Sequence, residues 1–115
     1  MYSRQYAEAL EDSQDDARER ERSAIDHSII LMERAEEEGA NPGIRAKAIF
    51  FTGQLWAVLV EDLADPGNAL PKDLRAQIIS IGIWIIKELE RLRNGDVESF
   101  ADIVAVSKSI RDGIS

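Results

Sequence analysis

Residues 78–90 read IISIGIWIIKELE, with six isoleucines and one tryptophan in the first nine positions. The alternation of isoleucine at positions 79, 81, 83 and 85 is typical of a β-strand. It is, however, only part of a longer pattern in which apolar residues recur from Leu74 to Leu92 at spacings of four, three, four, four and three. That spacing is the period of an α-helix. We therefore predict a helix over residues 71–93, about 33 Å long, that Asn94-Gly95 terminates.

This helix carries more apolar residues than one buried stripe needs. Ile79, Ile83 and Ile86 form a second stripe, and Trp84 extends it. A helix that is apolar over most of its circumference either lies at the centre of a bundle or exposes a docking surface. The two tryptophans fit both interpretations, as core residues or as anchors for a partner. The candidate partner-binding residues are Trp56, Val60, Ile79, Ile83, Trp84 and Ile86.

Clusters of glycine and proline divide the rest of the chain into further helices. Asn41 and Pro42 are typical of a helix start, and Asp96 or Ser99 suits the start of the last helix. The segment Asp65-Pro66-Gly67-Asn68 suits a type II turn. We predict an all-α bundle of four main helices plus a short N-terminal helix, in a single domain spanning residues 1–115. The other helices are expected over residues 3–11, 13–38, 42–65 and 98–112.

Composition excludes several classes of protein. The formal net charge is −8, and residues 1–40 contain 12 acidic and 5 basic side chains, which disfavours direct binding to nucleic acid. The chain has no cysteine, so disulfides are excluded and a reducing cytoplasm is favoured. It begins without the apolar core of a signal peptide and contains no unbroken apolar run of about 20 residues. We expect a cytoplasmic protein that does not enter a membrane.

Residues that could support catalysis or metal binding are few. His27 is the only histidine, and Ala24 stands where a di-iron bundle would need glutamate three residues earlier. The arginines of DARERERS, residues 16–23, alternate with glutamates, which favours ion pairs on a solvated face over a nucleic-acid patch. We predict that the protein is not an enzyme and holds no metal or cofactor.

Three segments together resemble the FlaF family of alphaproteobacterial flagellin-biosynthesis regulators. They are YAEALEDSQDDARERERSAIDHSI at residues 6–29, LWAVLVEDLADPGNALPKDLRAQIISIGIWIIKELERLRNG at 55–95 and SIRDGI at 109–114. The resemblance implies a small, helical, non-enzymatic protein of flagellar filament production. It also implies flagellin as a partner, in the manner of a secretion chaperone, and joint action with the regulator FlbT after transcription.

Three functions remain open from the sequence. The first is a chaperone and regulator that holds an amphipathic flagellin segment in an apolar groove. The alternative is a translational regulator that binds flagellin messenger RNA directly. The third is a structural homodimer that covers its own surplus apolar face, so that monomer and dimer both remain possible. The segment Tyr2–Leu10 is either a movable cover of the groove or an ordinary docked terminus.

Overall fold

The computed structural model describes the backbone of residues 2–113 and the side chains of residues 15–113. Its helices are α1 (Tyr2–Ala35), α2 (Pro42–Ala64), α3 (Lys72–Asn94) and α4 (Ala101–Gly113). No strand occurs among the residues described, which confirms the all-α class and the four main helices. The side chains of the Tyr2–Leu10 segment lie outside the described residues, so its role as a cover is not addressed.

The prediction of a separate short N-terminal helix was wrong. One continuous helix of 34 residues replaces the two expected over 3–11 and 13–38. The polar residues around Ser13 lower helix propensity by only a few tenths of a kcal/mol each, and no glycine or proline interrupts the backbone hydrogen bonds. The helix ends at Ala35, three residues earlier than expected. Tighter turns follow, among them a hydrogen bond from the Ala40 N–H to the Glu37 carbonyl, and Gly39 has a φ of 81°.

Helices α2 and α3 begin and end close to where the sequence predicts. The Asn41 side chain caps α2 by accepting a hydrogen bond of 2.9 Å from the Ile44 N–H. Gly95 ends α3 in the left-handed region at a φ of 80°, and the Asp96 N–H donates to the Arg91 carbonyl at 2.9 Å. This is the Schellman arrangement, for which glycine is favoured because it has no Cβ.

The connection between α2 and α3 is ordered by side chains, but it is not the type II turn predicted. Gly67 is not among the glycines with positive φ, which that turn requires. Instead, the Asp65 carboxylate accepts a hydrogen bond of 2.8 Å from the Gly67 N–H, and the Asn68 N–H donates to the Asp65 carbonyl. Arg75 then reaches back from α3 and donates to the Leu63 and Asp65 carbonyls at the end of α2.

The antiparallel helices α2 and α3 form the most extensive contact in the fold, and Gly82 sets their separation. A Cβ at Gly82 would lie 2.6 Å from Cγ2 of Val60 and 3.0 Å from Cε3 of Trp56. Trp56 is fully buried. Helix α2 is also long and apolar enough to cross a membrane by length and composition alone, and less than a third of its most apolar stretch is buried in the fold. Here its buried residues form the middle of the core: Ala48, Ile49, Thr52, Trp56, Leu59 and Leu63.

Helix α4 packs mainly against α1 and makes few contacts with α3. Two ion pairs hold it there, between Arg111 and Asp26 at 2.9 Å and between Lys108 and Glu33 at 3.2 Å. Nearer its start, α4 also contributes the buried apolar side chain of Ile103. The position of α4 therefore depends on α1, and α3 is left partly uncovered.

The start of α4 is also tied to α1. The Glu36 carboxylate, just beyond the end of α1, accepts a hydrogen bond from the Phe100 N–H. The Ser99 hydroxyl accepts a hydrogen bond of 3.1 Å from the Ala101 N–H, although Ser99 lies one residue before the N-cap position, which Phe100 occupies. Arg45 of α2 lies 5.2 Å from the centre of the Phe100 ring and donates to the Glu98 carbonyl. The α3–α4 connection is thus joined to both α1 and α2.

Candidate partner-binding groove

An open apolar groove lies between α3 and α4, because α4 is held by α1. It consists of two adjoining clefts that share Ser109 and Ile110. Arg18 of α1 and Pro71 lie at the end of the groove near the start of α3. Apolar side chains form its walls: Leu74, Ile78, Ile81 and Trp84 from α3, and Val106 and Ile110 from α4. We call this set the α3–α4 groove.

The exposure of the α3 wall shows that the monomer does not fill the groove. Leu74 is 39% exposed and Trp84 is 37% exposed, whereas Ile78 is nearly buried and lies toward the core. The polar residues beside Trp84 are Ser80 and Ser109, which carry no charge, and the charged Arg18 lies at the other end of the groove. Such a surface suits an apolar ligand bordered by groups that hydrogen-bond, since it does not require burial of a charge.

The length of the groove matches a short helical ligand. Leu74 and Trp84 are ten residues apart on α3, which corresponds to about 15 Å or nearly three helical turns. An amphipathic helix with apolar residues at i, i+3, i+4 and i+7 presents a stripe of that length. Trp84 is the largest exposed side chain of the walls, and a partly exposed tryptophan at a groove is a frequent anchor in protein interfaces.

The structure does not bring the six candidate partner-binding residues together. Trp56 is fully buried beneath Gly82, and Trp84 lies on the α3–α4 groove. The other four lie on the opposite flank of α3 and the adjacent side of α2, a surface that we call the α2–α3 face: Val60, Ile79, Ile83 and Ile86. Successive residues of a helix are 100° apart, so Ile83 and Trp84 diverge to different surfaces.

Most of the groove residues are not among the candidate partner-binding residues that the sequence indicates. Leu74, Ile78 and Ile81 belong to the first apolar stripe of α3, which was expected to face the core. Ile78 does so, but Leu74 is exposed and Ile81 is only partly buried. Their position at the edge of that stripe was the one feature of the sequence that could have indicated their exposure. Nothing in the sequence indicated that α4 would pack on α1 and leave this edge open.

The surroundings of the polar and titratable residues do not indicate a catalytic or metal site among the residues described. The His27 ring lies edge-on to Phe51, with ring centroids 4.8 Å apart, and is exposed. Partial burial, and secondarily the carboxylate of Asp62, raise the pKa of Glu21 above its ordinary value. Among the side chains described, residues 15–113, no group of three histidine or acidic residues could hold a metal ion.

Comparison with curated proteins and with solved structures found no significant match. The family described as "Flagellar protein FlaF" matches residues 2–114, which is nearly the whole chain. This match confirms the resemblance carried by the motif at residues 55–95, whose Asp62, Asp65, Asn68, Arg75 and Gly82 build the α2–α3 hairpin. The chain belongs to the FlaF family of flagellar proteins.

Proposed function

We propose that the protein is a non-enzymatic cytoplasmic regulator of flagellin synthesis that binds flagellin as a chaperone. The observation that supports this proposal most strongly is the α3–α4 groove, an uncovered apolar surface on a small acidic protein of a flagellar family. A flagellin segment of two to three helical turns would fill it. The anchor is Trp84, with Leu74 at one end of the groove and Ile110 on the opposite wall.

Binding would protect flagellin before assembly by covering an apolar stripe that the unassembled subunit exposes. Each 100 Å² of apolar surface removed from water contributes about 2.5 kcal/mol before the cost of association. The occupied and empty forms would then differ in surface, which gives a partner such as FlbT a means to sense the amount of free flagellin. Because the chain is acidic, contact with the messenger would belong to that partner.

Direct binding to RNA is the rival function, and the described residues offer it little support. Arg18 and Arg22 are partly buried, and Glu19 and Glu21 alternate with them. A single-stranded RNA site would combine a basic surface with exposed aromatic rings. Trp84 is exposed, but the groove around it contains one arginine, Arg18, at its far end.

The test is a binding titration of purified flagellin, unassembled, with variants of the groove. We expect Trp84→Ala and Ile110→Ser each to weaken binding about tenfold or more, which is the usual effect of removing an interface anchor. Val58→Ser is the matched control, since Val58 is 61% exposed on α2 and lies outside the groove. Trp84 fluorescence should shift to shorter wavelength on binding, whereas Trp56 is already buried.

A parallel titration with flagellin messenger distinguishes the two functions. Flagellin binding that survives nuclease treatment and depends on Trp84 supports the proposal. Tight RNA binding with a steep dependence on salt would favour the rival. Equal affinity of the parent protein, Trp84→Ala and Ile110→Ser for flagellin would show that the α3–α4 groove is not the binding site.

A further inference from the structure

The α2–α3 face contains a regular stripe on α3 that ends in opposite charges. Ile79, Ile83 and Ile86 follow one another at spacings of four and three, Lys72 precedes them by seven residues, and Glu90 follows them by four. At 100° per residue these five positions fall within about 60° of one another. Ile83 is 43% exposed, Ile86 is 36% exposed, and Lys72 and Glu90 are both exposed.

This stripe is complementary to a second copy of itself in the antiparallel direction. If two α3 helices cross at the level of Ile81, position i faces position 162 − i of the other copy. Lys72 then faces Glu90, and Ile79 faces Ile83, with each pair occurring twice by symmetry. Ile86 faces Ala76, a small exposed residue that leaves room for the larger one. A parallel arrangement would instead place like charges together.

The charges at the two ends are incompletely satisfied within one copy. No salt bridge joins Lys72 to any residue whose side chain the structure describes, and Lys72 is the first residue of α3, where the helix dipole disfavours a cation. Glu90 lies in the second-last turn, and its one ion pair with a side chain of residues 15–113 is with the exposed Arg93, at 3.3 Å. An antiparallel neighbour would place the C-terminal end of its α3 beside Lys72, which removes this mismatch.

We infer that the α2–α3 face is the interface of a two-fold homodimer in which the two α3 helices lie antiparallel. Val60 and the 65% exposed Phe50 widen the surface on α2, with Phe50 beside Leu92 and Arg93 at the Glu90 end. The stripe is about 27 Å long and a helix pair is about 20 Å wide. The dimer would therefore bury about 1,000 Å² in total, near the lower limit of specific interfaces. It is a weak dimer whose population rises with concentration.

The dimer does not require the proposed flagellin site. Trp84 points about 100° away from Ile83 around α3, so the α3–α4 groove remains open in both copies. Two groove openings per particle would allow bivalent capture of flagellin segments. Failure of flagellin binding and failure of dimerisation can be told apart, because they depend on different side chains of α3.

The experiment is sedimentation analysis of the full chain over a range of concentrations up to about 100 µM. We expect Lys72→Glu and Glu90→Lys each to raise the dimer dissociation constant about tenfold, because a charge reversal acts twice in a two-fold dimer. The double variant Lys72→Glu/Glu90→Lys should restore most of the loss. Arg20→Glu, an equal change of charge at an exposed position on α1, is the matched control and should have no effect.

A second variant separates loss of the interface from loss of the fold. Ile83→Glu should abolish the dimer and keep the helical circular dichroism of the parent, since Ile83 is exposed in the monomer. A chain that is monomeric at every concentration overturns the inference. So does a dimer that Lys72→Glu and Ile83→Glu leave unchanged. If the parent protein forms no dimer and Ile83→Glu loses flagellin binding, the α2–α3 face binds flagellin instead. That result would also overturn the inference of a homodimer.

Discussion

Replacement of Gly82 by alanine tests the close approach of α2 and α3 at this glycine. The new Cβ would lie 2.6 Å from Cγ2 of Val60 and 3.0 Å from Cε3 of Trp56, and the first distance is shorter than side chains tolerate. Trp56 is fully buried and cannot move outward. Val60 has one strongly preferred rotamer in a helix, so its methyl group cannot turn away without cost. Relief would therefore require α2 and α3 to separate.

The magnitude follows from two opposing terms. Overpacking of a core costs about 1–3 kcal/mol, and the upper part of that range applies because neither neighbour can yield. Alanine gains about 1 kcal/mol over glycine in the interior of a helix. We expect Gly82→Ala to lower the free energy of unfolding by about 2 kcal/mol, which lowers the melting temperature by about 8 °C for a chain of this size.

Gly53→Ala is the matched control, because Gly53 lies inside α2 with only Cδ1 of Leu89 near its new Cβ, at 3.8 Å. This is an ordinary contact, so Gly53→Ala should raise the melting temperature. The assay is thermal and urea denaturation at one fixed protein concentration. Val60→Ala should recover part of the loss when combined with Gly82→Ala, with a coupling of about 1–2 kcal/mol. If Gly82→Ala stabilises the protein as Gly53→Ala does, the helices are not in the contact described.

Two further predictions concern the packing of α1. Burial and Asp62 raise the folded-state pKa of Glu21, so the stability from this group is complete below the ordinary glutamate pKa and is lost as pH rises through the raised value. Glu21→Gln should therefore raise the urea midpoint of unfolding at pH 7 and not at about pH 4. Glu19→Gln, at an exposed position, is the control and should leave the midpoint unchanged. Equal midpoints for Glu21→Gln and the parent protein at pH 7 would contradict the prediction. Glu36→Ala removes the acceptor of the Phe100 N–H and should speed amide exchange in the first turn of α4 about fivefold, with Glu37→Ala as control. Unchanged exchange would mean that this hydrogen bond contributes nothing to α4.

The helices that sequence predicted best are those with chemical signals at both ends. Asn41 and Pro42 start α2, and Gly95 ends α3, because capping depends on a few adjacent residues. The extent of α1 was predicted poorly, since the Ser13 signal for a helix start also fits the interior of a continuous helix. The turn at Gly67 shows the same limit: proline and glycine suit a type II turn, but the Asp65 side chain accepts the Gly67 N–H and φ stays out of the positive region.

The sequence predicts that α3 has an exposed apolar surface, but it does not predict which side of the helix that surface occupies. Helical periodicity shows that α3 has more apolar residues than one stripe needs, and it identifies Ile83, Trp84 and Ile86, which are exposed in the structure. It cannot show which flank another helix covers. That depends on α4, which packs on α1 and pairs Arg111 and Lys108 with acids on α1 across more than 70 positions of sequence. Ion pairs of this kind have no local sequence signature.

The surplus of apolar residues on α3 therefore belongs to two surfaces with different requirements. The side of Trp84 is a concave groove between two helices, bordered by uncharged Ser80 and Ser109, and its shape suits a helix from another protein. The side of Ile83 is a broad face whose end charges are arranged in self-complementary order, and its pattern suits a second copy. Since adjacent residues on a helix diverge by 100°, changes at Ile83 and Trp84 should act independently. If the two surfaces are separate, Ile83→Glu should abolish dimerisation, Trp84→Ala should weaken flagellin binding, and their effects on stability should add. Strong coupling between the two substitutions would mean that they belong to a single site.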